Sequence, residues 1–206
     1  MTFNKKIKLG ISVLAIGAFI ASGSLFFTST NASPNFSEMN TPKISLEASY
    51  IDYKTVSELD SNAELIVIGT PLQEFDDRQH IVTSFEDGTI QDFYTLTNIK
   101  IDKVIKSPEG TALNVEEPLS IVEPISYIDD AGGKKKIAYE DYTELKQNEK
   151  NIIFLKKNTQ GQYSVINMDL GKFAIEPSSQ SPSSSVDKQD SKEQFRESVL
   201  EKYGLK

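Results

Sequence analysis

The chain has 206 residues with 22 basic and 30 acidic side chains, a formal net charge of −8 at pH 7, and no cysteine. The acidic balance argues against nucleic acid as a partner, because phosphate binding needs a basic surface. The missing thiols exclude disulfides, thiolate metal sites and cysteine catalysis.

The N-terminus has the pattern of an export signal. Three lysines within the first eight residues precede Leu9–Phe27, nineteen residues without a charge, and a polar stretch then leads to Ala32. This pattern predicts a signal peptide over 1–32 with cleavage after Ala32, since glycine and serine dilute the apolar run. A retained anchor over 9–27 is the alternative, because nineteen helical residues reach about 28 Å. Both place the rest outside the cytoplasm, either secreted or at the outer face of the cytoplasmic membrane.

The exported part is strongly acidic, with 19 basic and 30 acidic residues after Ala32. This balance argues against docking to anionic lipid or wall polymers and favours a soluble monomer. Without disulfides, the domain depends on its own hydrophobic core. Export without disulfides is typical of a bacterial protein.

The first elements of the exported part are a spacer, a short helix and a buried strand. Residues 33–43 are polar with two prolines and predict a flexible spacer. Thr55 and Glu58 have the spacing of a capping box and predict a helix start. The apolar run Glu64–Gly69 contains β-branched residues and predicts a buried strand.

A hairpin and a long strand follow. The hairpin joins Ile81–Phe85 to Thr89–Tyr94, and Asp87-Gly88 between them predicts a type I′ turn.

The alternation in Tyr94–Val104 predicts a strand with Ile99 and Ile101 on its buried face. The alternation fails after Lys103, which predicts a bulge or bend there.

The remainder of the domain predicts short strands separated by turns. They are Leu113–Val115, Leu119–Val122, Ile125–Ile128, Lys136–Tyr139, Asn151–Lys157, Tyr163–Ile166 and Gly171–Ile175. Many short strands with turns every ~8–12 residues favour an antiparallel barrel or sandwich. We expect a small antiparallel β-barrel over 44–176, because the long strand can bend and serve two sheets.

The C-terminal region changes composition. Residues 177–190 are rich in serine and predict a linker. Residues 191–204 predict an amphipathic helix that Gly204 ends. Its apolar stripe is Phe195, Val199, Leu200 and Tyr203. A helix this short needs a surface to pack on. We expect that surface to be the barrel, and a partner protein is the alternative.

The strand order resembles a group of small exported bacterial proteins with an OB-like β-barrel. The resemblance covers 55–175 and is carried by Glu64–Thr70, Tyr94–Ile101, Val104–Lys106, Asn151–Leu155 and Gly171–Phe173. Netrin-like modules have a similar opening strand but contain disulfides, so none of their functions is transferred. The resemblance implies an OB-like fold and a surface or secreted location, without an assigned reaction.

His80 is the only histidine. A general base needs a nucleophile and an orienting partner, and no such motif accompanies His80. One histidine without cysteine also fails to supply the usual zinc ligands. We therefore expect a solvated loop histidine.

Carboxylates cluster in several predicted loops. The clusters are Glu74-Asp76-Asp77, Glu86-Asp87, Glu116-Glu117, Asp129-Asp130 and Glu140-Asp141-Glu144. Converging loops of this kind bind calcium in some proteins, and paired carboxylates serve glycoside hydrolysis. No cluster has EF-hand spacing and the chain has no tryptophan for a sugar cleft. We expect exposed acidic loops.

Three lysines, Lys134-Lys135-Lys136, follow a Gly-Gly pair. An anion site is one interpretation, but a polar hairpin tip balanced by Asp129 and Asp130 is the one we expect. No phosphate-binding loop motif is present.

Together these patterns predict an exported, non-enzymatic β-barrel that acts as a binding or accessory module outside the cell. The expected partner is an extracellular protein or peptide, with membrane contact only through 9–27 if the signal is retained. No catalytic residue, cofactor site or metal site is assigned. The alternative is an extracellular hydrolase that uses loop carboxylates with or without calcium.

Overall fold

The computed structural model describes residues 41–47, 50–110, 113–130, 133–140, 142–176 and 186–206. All of these lie in one compact unit, Ser37–Lys206. The strands are β1 (Lys43–Leu46), β2 (Leu65–Pro71), β3 (Gln79–Ser84), β4 (Ile90–Lys106), β5 (Leu119–Glu123), β6 (Ile125–Asp130), β7 (Gly133–Tyr139), β8 (Asn151–Lys157), β9 (Tyr163–Val165) and β10 (Lys172–Ala174). The α-helices are α1 (Val56–Asn62) and α2 (Val186–Lys202).

Five strands close into a β-barrel. Strand β2 pairs antiparallel with β4 on one side and with β8 on the other. Strand β5 pairs antiparallel with β4 and parallel with β9, and β9 returns to β8. Around the barrel the strands follow the order β2-β4-β5-β9-β8, and β8 closes the ring by pairing with β2. The prediction of a small, mainly β, OB-like barrel is confirmed.

Strand β4 is the longest element, with 17 residues, and it has three neighbours. Its N-terminal part pairs with β3, its middle with β5 and its C-terminal part with β2. The pairing with β2 shifts register on both sides of Lys103, so the predicted bulge is confirmed. Ile99 and Ile101 are buried while Lys100 and Asp102 are exposed, as the alternation predicts. The irregularities let one strand curve around the barrel.

A second sheet has the order β1-β7-β6. Strands β6 and β7 form the predicted hairpin, with Ile125 opposite Ala138. Strand β1 pairs parallel with β7 and begins at Lys43, which the sequence assigned to the spacer. Strand β1 has only four residues, which is too short a segment for its residue types to predict a strand. Its extended conformation depends on pairing with β7.

The turn between β3 and β4 differs from the predicted type I′. A type I′ turn needs positive φ at both central residues, but only Gly88 has it, at +85°. The Gly88 N–H donates to the Phe85 carbonyl, and the Asp87 carboxylate accepts from the Thr89 N–H. These bonds favour an ordinary turn followed by a left-handed glycine.

The predicted strand Leu113–Val115 is also wrong. Asn114 begins a turn there, because its side-chain oxygen accepts from the Glu116 N–H and its carbonyl accepts from the Glu117 N–H. Local side-chain hydrogen bonds of this kind compete with strand pairing.

The hydrophobic core has two parts separated by the wall formed by β2 and β8. Leu65, Val67, Ile153 and Leu155 point into the barrel, together with Ile99, Ile101 and Ile121. The intervening residues Ile66, Ile152 and Phe154 point outward, where they pack under the two helices. Both faces of these strands are buried, which explains why their sequences are continuous apolar runs rather than alternating ones.

Helix α1 begins at the predicted capping box. The Thr55 hydroxyl accepts from the Glu58 N–H, and the Glu58 carboxylate accepts from the Thr55 N–H. Leu59 faces the second core and is fully buried.

Helix α2 packs on the barrel, as expected. It begins at Val186, five residues before the predicted start at Ser191. Val199 and Leu200 are buried in the second core. Gly204 has a φ of +62°, and Leu205 N–H donates to the Leu200 carbonyl, so the helix ends in a Schellman motif. The helix is therefore part of the folded unit.

The predicted signal or anchor over 1–32 and most of the predicted spacer and linker lie outside the described residues. Among the residues that the structure does describe, no helix has both the length and the apolar character needed to cross a membrane.

Candidate functional site

A buried ion pair lies at one end of the barrel interior. The Arg78 Nη1 donates to the Glu123 Oε1 at 2.9 Å, and the side chains are 1% and 0% exposed. Both Glu123 oxygens have two donors. Oε1 accepts from Arg78 and from the Thr97 hydroxyl, while Oε2 accepts from the Tyr142 hydroxyl and the Leu145 N–H, each at 2.8 Å.

The guanidinium of Arg78 is equally well satisfied. Its Nε and Nη2 donate to the Gln73 carbonyl at 3.1 and 2.9 Å, and Nη2 also donates to the Leu145 carbonyl at 2.6 Å. The pair thus ties two loops to β4 and β5. Because all these groups are saturated and sealed from solvent, we interpret this network as structural.

The sequence by itself did not indicate this hydrogen-bond network between Arg78 and Glu123. Its one signal was the position of Glu123, two residues after the inward-facing Ile121 of β5, which places a carboxylate on the barrel-facing side of the strand. Nothing local indicated that Arg78 would be its partner, since 45 residues separate them.

His80 is not the solvated loop residue that we expected. It lies in β3, and its ring contacts those of Phe75 and Tyr127, with centroids 4.8 Å apart in both cases. Its Nε2 lies 2.9 Å from the Phe75 carbonyl, which only accepts, so Nε2 carries a proton. Its Nδ1 lies 2.9 Å from the Thr95 hydroxyl. Burial lowers the pKa of His80, although the bond to Phe75 opposes this.

Two lysines of the β6–β7 hairpin, Lys134 and Lys136, have partners other than the predicted Asp129 and Asp130. Lys134 Nζ pairs with Asp76 at 3.4 Å and lies 3.8 Å above the Tyr127 ring. Lys136 pairs with Glu144 and lies 4.9 Å from the Phe75 ring. These contacts fasten the second sheet to the barrel and leave no open anion site at these two lysines.

The acidic clusters have described members that do not converge on a metal site. Within the described ranges, no three acidic or histidine side chains come close enough to hold an ion. Asp76 and Glu144 instead bind lysines. A hydrogen bond from Tyr127 lowers the pKa of Asp76, and Lys134 acts in the same direction.

The candidate site is a groove of about 330 Å³ on the barrel wall. It lies between β4, the end of β5, β9 and the turn that joins β8 to β9. Its lining residues are Asp92, Phe93, Tyr94, Val122, Pro124, Tyr139, Asn158, Thr159, Gln160, Gln162, Ser164 and Val165. A larger depression of about 580 Å³ is formed by the loop 146–150 together with Ile175 and Glu176.

One wall of the groove is a tight turn organised by Asn158. The Asn158 Oδ1 accepts from the Gln160 N–H at 3.0 Å and the Gln162 N–H at 2.9 Å. The Asn158 N–H donates to the Gln162 carbonyl, and Gly161 supplies the left-handed residue, with a φ of +80°. This turn therefore presents its amide side chains on a rigid backbone.

The opposite wall is aromatic. The rings of Phe93 and Tyr139 stack with centroids 4.3 Å apart and an interplanar angle of 18°. Burial raises the pKa of Tyr139, and Asp92 adds to the effect. Asp92 is the one carboxylate among the lining residues. The Phe93 side chain is buried beneath its stack with Tyr139, so the groove presents mainly amides and a single negative charge to a ligand.

No protein-family model matches the chain, and no curated protein shows a significant match to it.

The sequence predicted the strands around the groove but not the groove itself. The residues that line the groove come from four separate parts of the chain. Gln162 and Ser164 line the same groove as Asp92 only when β9 pairs with β5. The one local signal was the Asn-Thr-Gln-Gly sequence at 158–161, which has the composition of a turn.

Proposed function

We propose that this chain is an exported, non-enzymatic binding module whose barrel binds a protein or peptide outside the cell. Its acidic surface, its leader-like N-terminus and the composition of the groove support this function. Export, by secretion or by attachment to the outer face of the membrane, rests on the lysine-led apolar run before Ala32.

The observation that carries the proposal is the contrast between the buried charges and the groove. Arg78 and Glu123 are sealed inside the barrel with every oxygen of Glu123 occupied. Among the described residues, the lining of the open groove includes one carboxylate, Asp92, and no histidine. General acid–base chemistry needs a titratable pair within reach of a ligand. The groove offers hydrogen-bonding side chains instead, which support binding without turnover.

The alternative is a hydrolase with loop carboxylates and calcium. Its calcium-dependent form finds no support in the described residues, because their acidic side chains do not form a three-member cluster. Calcium that binds the native state would raise the melting temperature by mass action. A clear rise at millimolar calcium, or turnover of a peptide, ester or glycoside that one carboxylate substitution abolishes, would favour this alternative.

Site-specific photo-crosslinking in the cell that encodes the protein tests the proposal. A benzophenone amino acid at Gln160, which is exposed on the groove wall, should crosslink to one defined extracellular protein or peptide. The same group at Glu197, exposed on α2, is the matched control. Equal crosslinking at both positions, no crosslinking at Gln160, or a cytoplasmic location by fractionation would contradict the proposal.

A further inference from the structure

Strand β5 pairs with the middle of β4 and separates from it before reaching the N-terminal end of β4 at Ile90. Their last register pair is Thr95 with Glu123, and the next residue is Pro124, which has no N–H to donate. The chain then continues as β6 and pairs with β7 in the other sheet. Residues 90–94 of β4 therefore keep β3 as their neighbour on one side, and residues 92–94 among them line the groove.

The backbone of Phe93 is directed to that open side. In an antiparallel pair, alternate residues direct their N–H and C=O groups to the same neighbour. The Phe93 N–H does not follow the β3 ladder, because it donates to the Asp92 Oδ1 at 2.8 Å. Phe93 is two residues from Thr95, which is where β5 pairs. Phe93 is therefore the next position of the ladder that β5 abandons.

We propose that a peptide in extended conformation adds a strand to β4 at Phe93, in line with β5 and beneath the 158–162 turn. This proposal rests on the binding function proposed above and names its mode. Addition of a strand to an open sheet edge gives affinity through main-chain hydrogen bonds and specificity through alternate side chains. The Asp92 carboxylate, which now caps the Phe93 N–H, exchanges that bond for the peptide.

The composition of the groove selects the occupant. On a strand edge, the N–H and the C=O of one residue face the same side, and this arrangement is complementary to another peptide backbone. The amides of Gln160 and Gln162 supply further donors and acceptors to its side chains. Asp92 favours a basic side chain, and the net charge of −8 disfavours phosphorylated or otherwise anionic ligands. The other edge strands, β1, β3, β6 and β10, contribute none of the described residues that line this groove.

The test uses the full chain in detergent micelles and a displayed library of random nine-residue peptides, with empty micelles as background. Enriched peptides are synthesised with a fluorophore, and their affinity is measured by anisotropy. We expect enriched peptides to carry a lysine or arginine. N-methylation of one alternate set of backbone amides should weaken binding about tenfold or more, while the other set has little effect, because only one set faces β4.

Two matched variants locate the site. Ser164→Tyr fills the groove from β9 and should weaken binding about tenfold or more. Ser57→Tyr makes the same substitution at an exposed position of α1, away from the lining residues of the groove, and should leave affinity unchanged. Unfolding midpoints of both variants show that the barrel is intact. Asp92→Asn should weaken the basic peptides selectively.

Three other results would contradict strand addition, the peptide ligand or both proposals. If peptides bind but neither N-methylation nor Ser164→Tyr matters, strand addition at Phe93 is wrong and the binding function stands. Displacement of the peptides by neutral oligosaccharides at micromolar concentration would also overturn the assignment of a peptide ligand. If no peptide is enriched and Gln160 yields no crosslink, both proposals fail.

Discussion

The buried ion pair between Arg78 and Glu123 provides the sharpest test of the folded structure. We consider Glu123→Gln, which keeps the volume of the side chain and removes its charge. Arg78 then remains inside the barrel with a side chain that is 1% exposed and without a counter-charge. Breaking a buried ion pair by removing one partner costs about 3–5 kcal/mol.

A second loss arises at the other oxygen. Oε2 accepts from the Tyr142 hydroxyl and the Leu145 N–H. If the new amide nitrogen occupies that place, Tyr142 can rotate its hydroxyl, but the Leu145 N–H loses its acceptor. A buried, unsatisfied N–H costs about 1–3 kcal/mol. If the amide turns the other way, the same conflict falls on Arg78 and Thr97. The unpaired N–H is one part of the total cost of breaking the buried pair, so we expect Glu123→Gln to lower the free energy of unfolding by about 3–5 kcal/mol in all, a large share of the ~5–15 kcal/mol of a typical domain.

The assay is urea unfolding of the full chain followed by far-ultraviolet circular dichroism, with linear extrapolation to water. Asp60→Asn is the control, since the pair between Asp60 and Lys202 has side chains that are 28% and 37% exposed and should contribute about 1 kcal/mol or less. Arg78→Met combined with Glu123→Gln completes a double-mutant cycle. We expect the double variant to lose clearly less than the sum of the single variants, because it contains no unpaired buried charge.

A loss below about 1 kcal/mol in Glu123→Gln would refute this reasoning. Strict additivity in the cycle would refute it as well, since it would mean that the two side chains do not interact.

Two further predictions concern α2 and His80. Leu200→Ala should lower the free energy of unfolding by about 2–5 kcal/mol because Leu200 is 3% exposed in the second core, whereas the exposed control Glu197→Ala should change it little; equal effects in urea unfolding would show that α2 does not pack on the barrel. Because burial lowers the pKa of His80, the folded state favours the neutral ring, so its contribution is present above the unfolded pKa of about 6.5 and is lost as the pH falls below that value. Unfolding measured at about pH 7.5 and about pH 5.5 should show this loss in the wild type and much less of it in His80→Gln, and an unchanged pH dependence in His80→Gln would contradict the assignment.

Local patterns predicted most of the barrel. The run Glu64–Gly69 became β2, and the alternation around Ile99 became the central part of β4. Strand β2 is buried on both faces and therefore has a continuous apolar run, while the central part of β4 is buried on one face and therefore alternates. The capping box at Thr55 was equally reliable, because its hydrogen bonds involve only neighbouring residues.

The wrong predictions for His80 and Lys134 share a different cause, whereas the errors at Asp87-Gly88 and at Leu113–Val115 come from local side-chain hydrogen bonds. The environment of His80 depends on Phe75 and on Tyr127, which lies in the other sheet. Lys134 binds Asp76, 58 residues away, rather than its hairpin neighbours. At Asp87-Gly88 the dipeptide indicated a turn correctly, but the Asp87–Thr89 hydrogen bond selected another type. A side chain chooses among partners by distance in space, and the sequence does not specify that distance.

The order of residue types was sufficient to establish a mainly β domain without disulfides, a short capped helix and an apolar C-terminal stripe, because short-range sterics and burial periodicity decide these features. Closure of the ring through the parallel pair β5–β9, the burial of Arg78 against Glu123 and the groove at Phe93 arise only in the tertiary structure. Each of them joins residues far apart in the chain, and it is barrel closure that brings those residues within hydrogen-bonding distance.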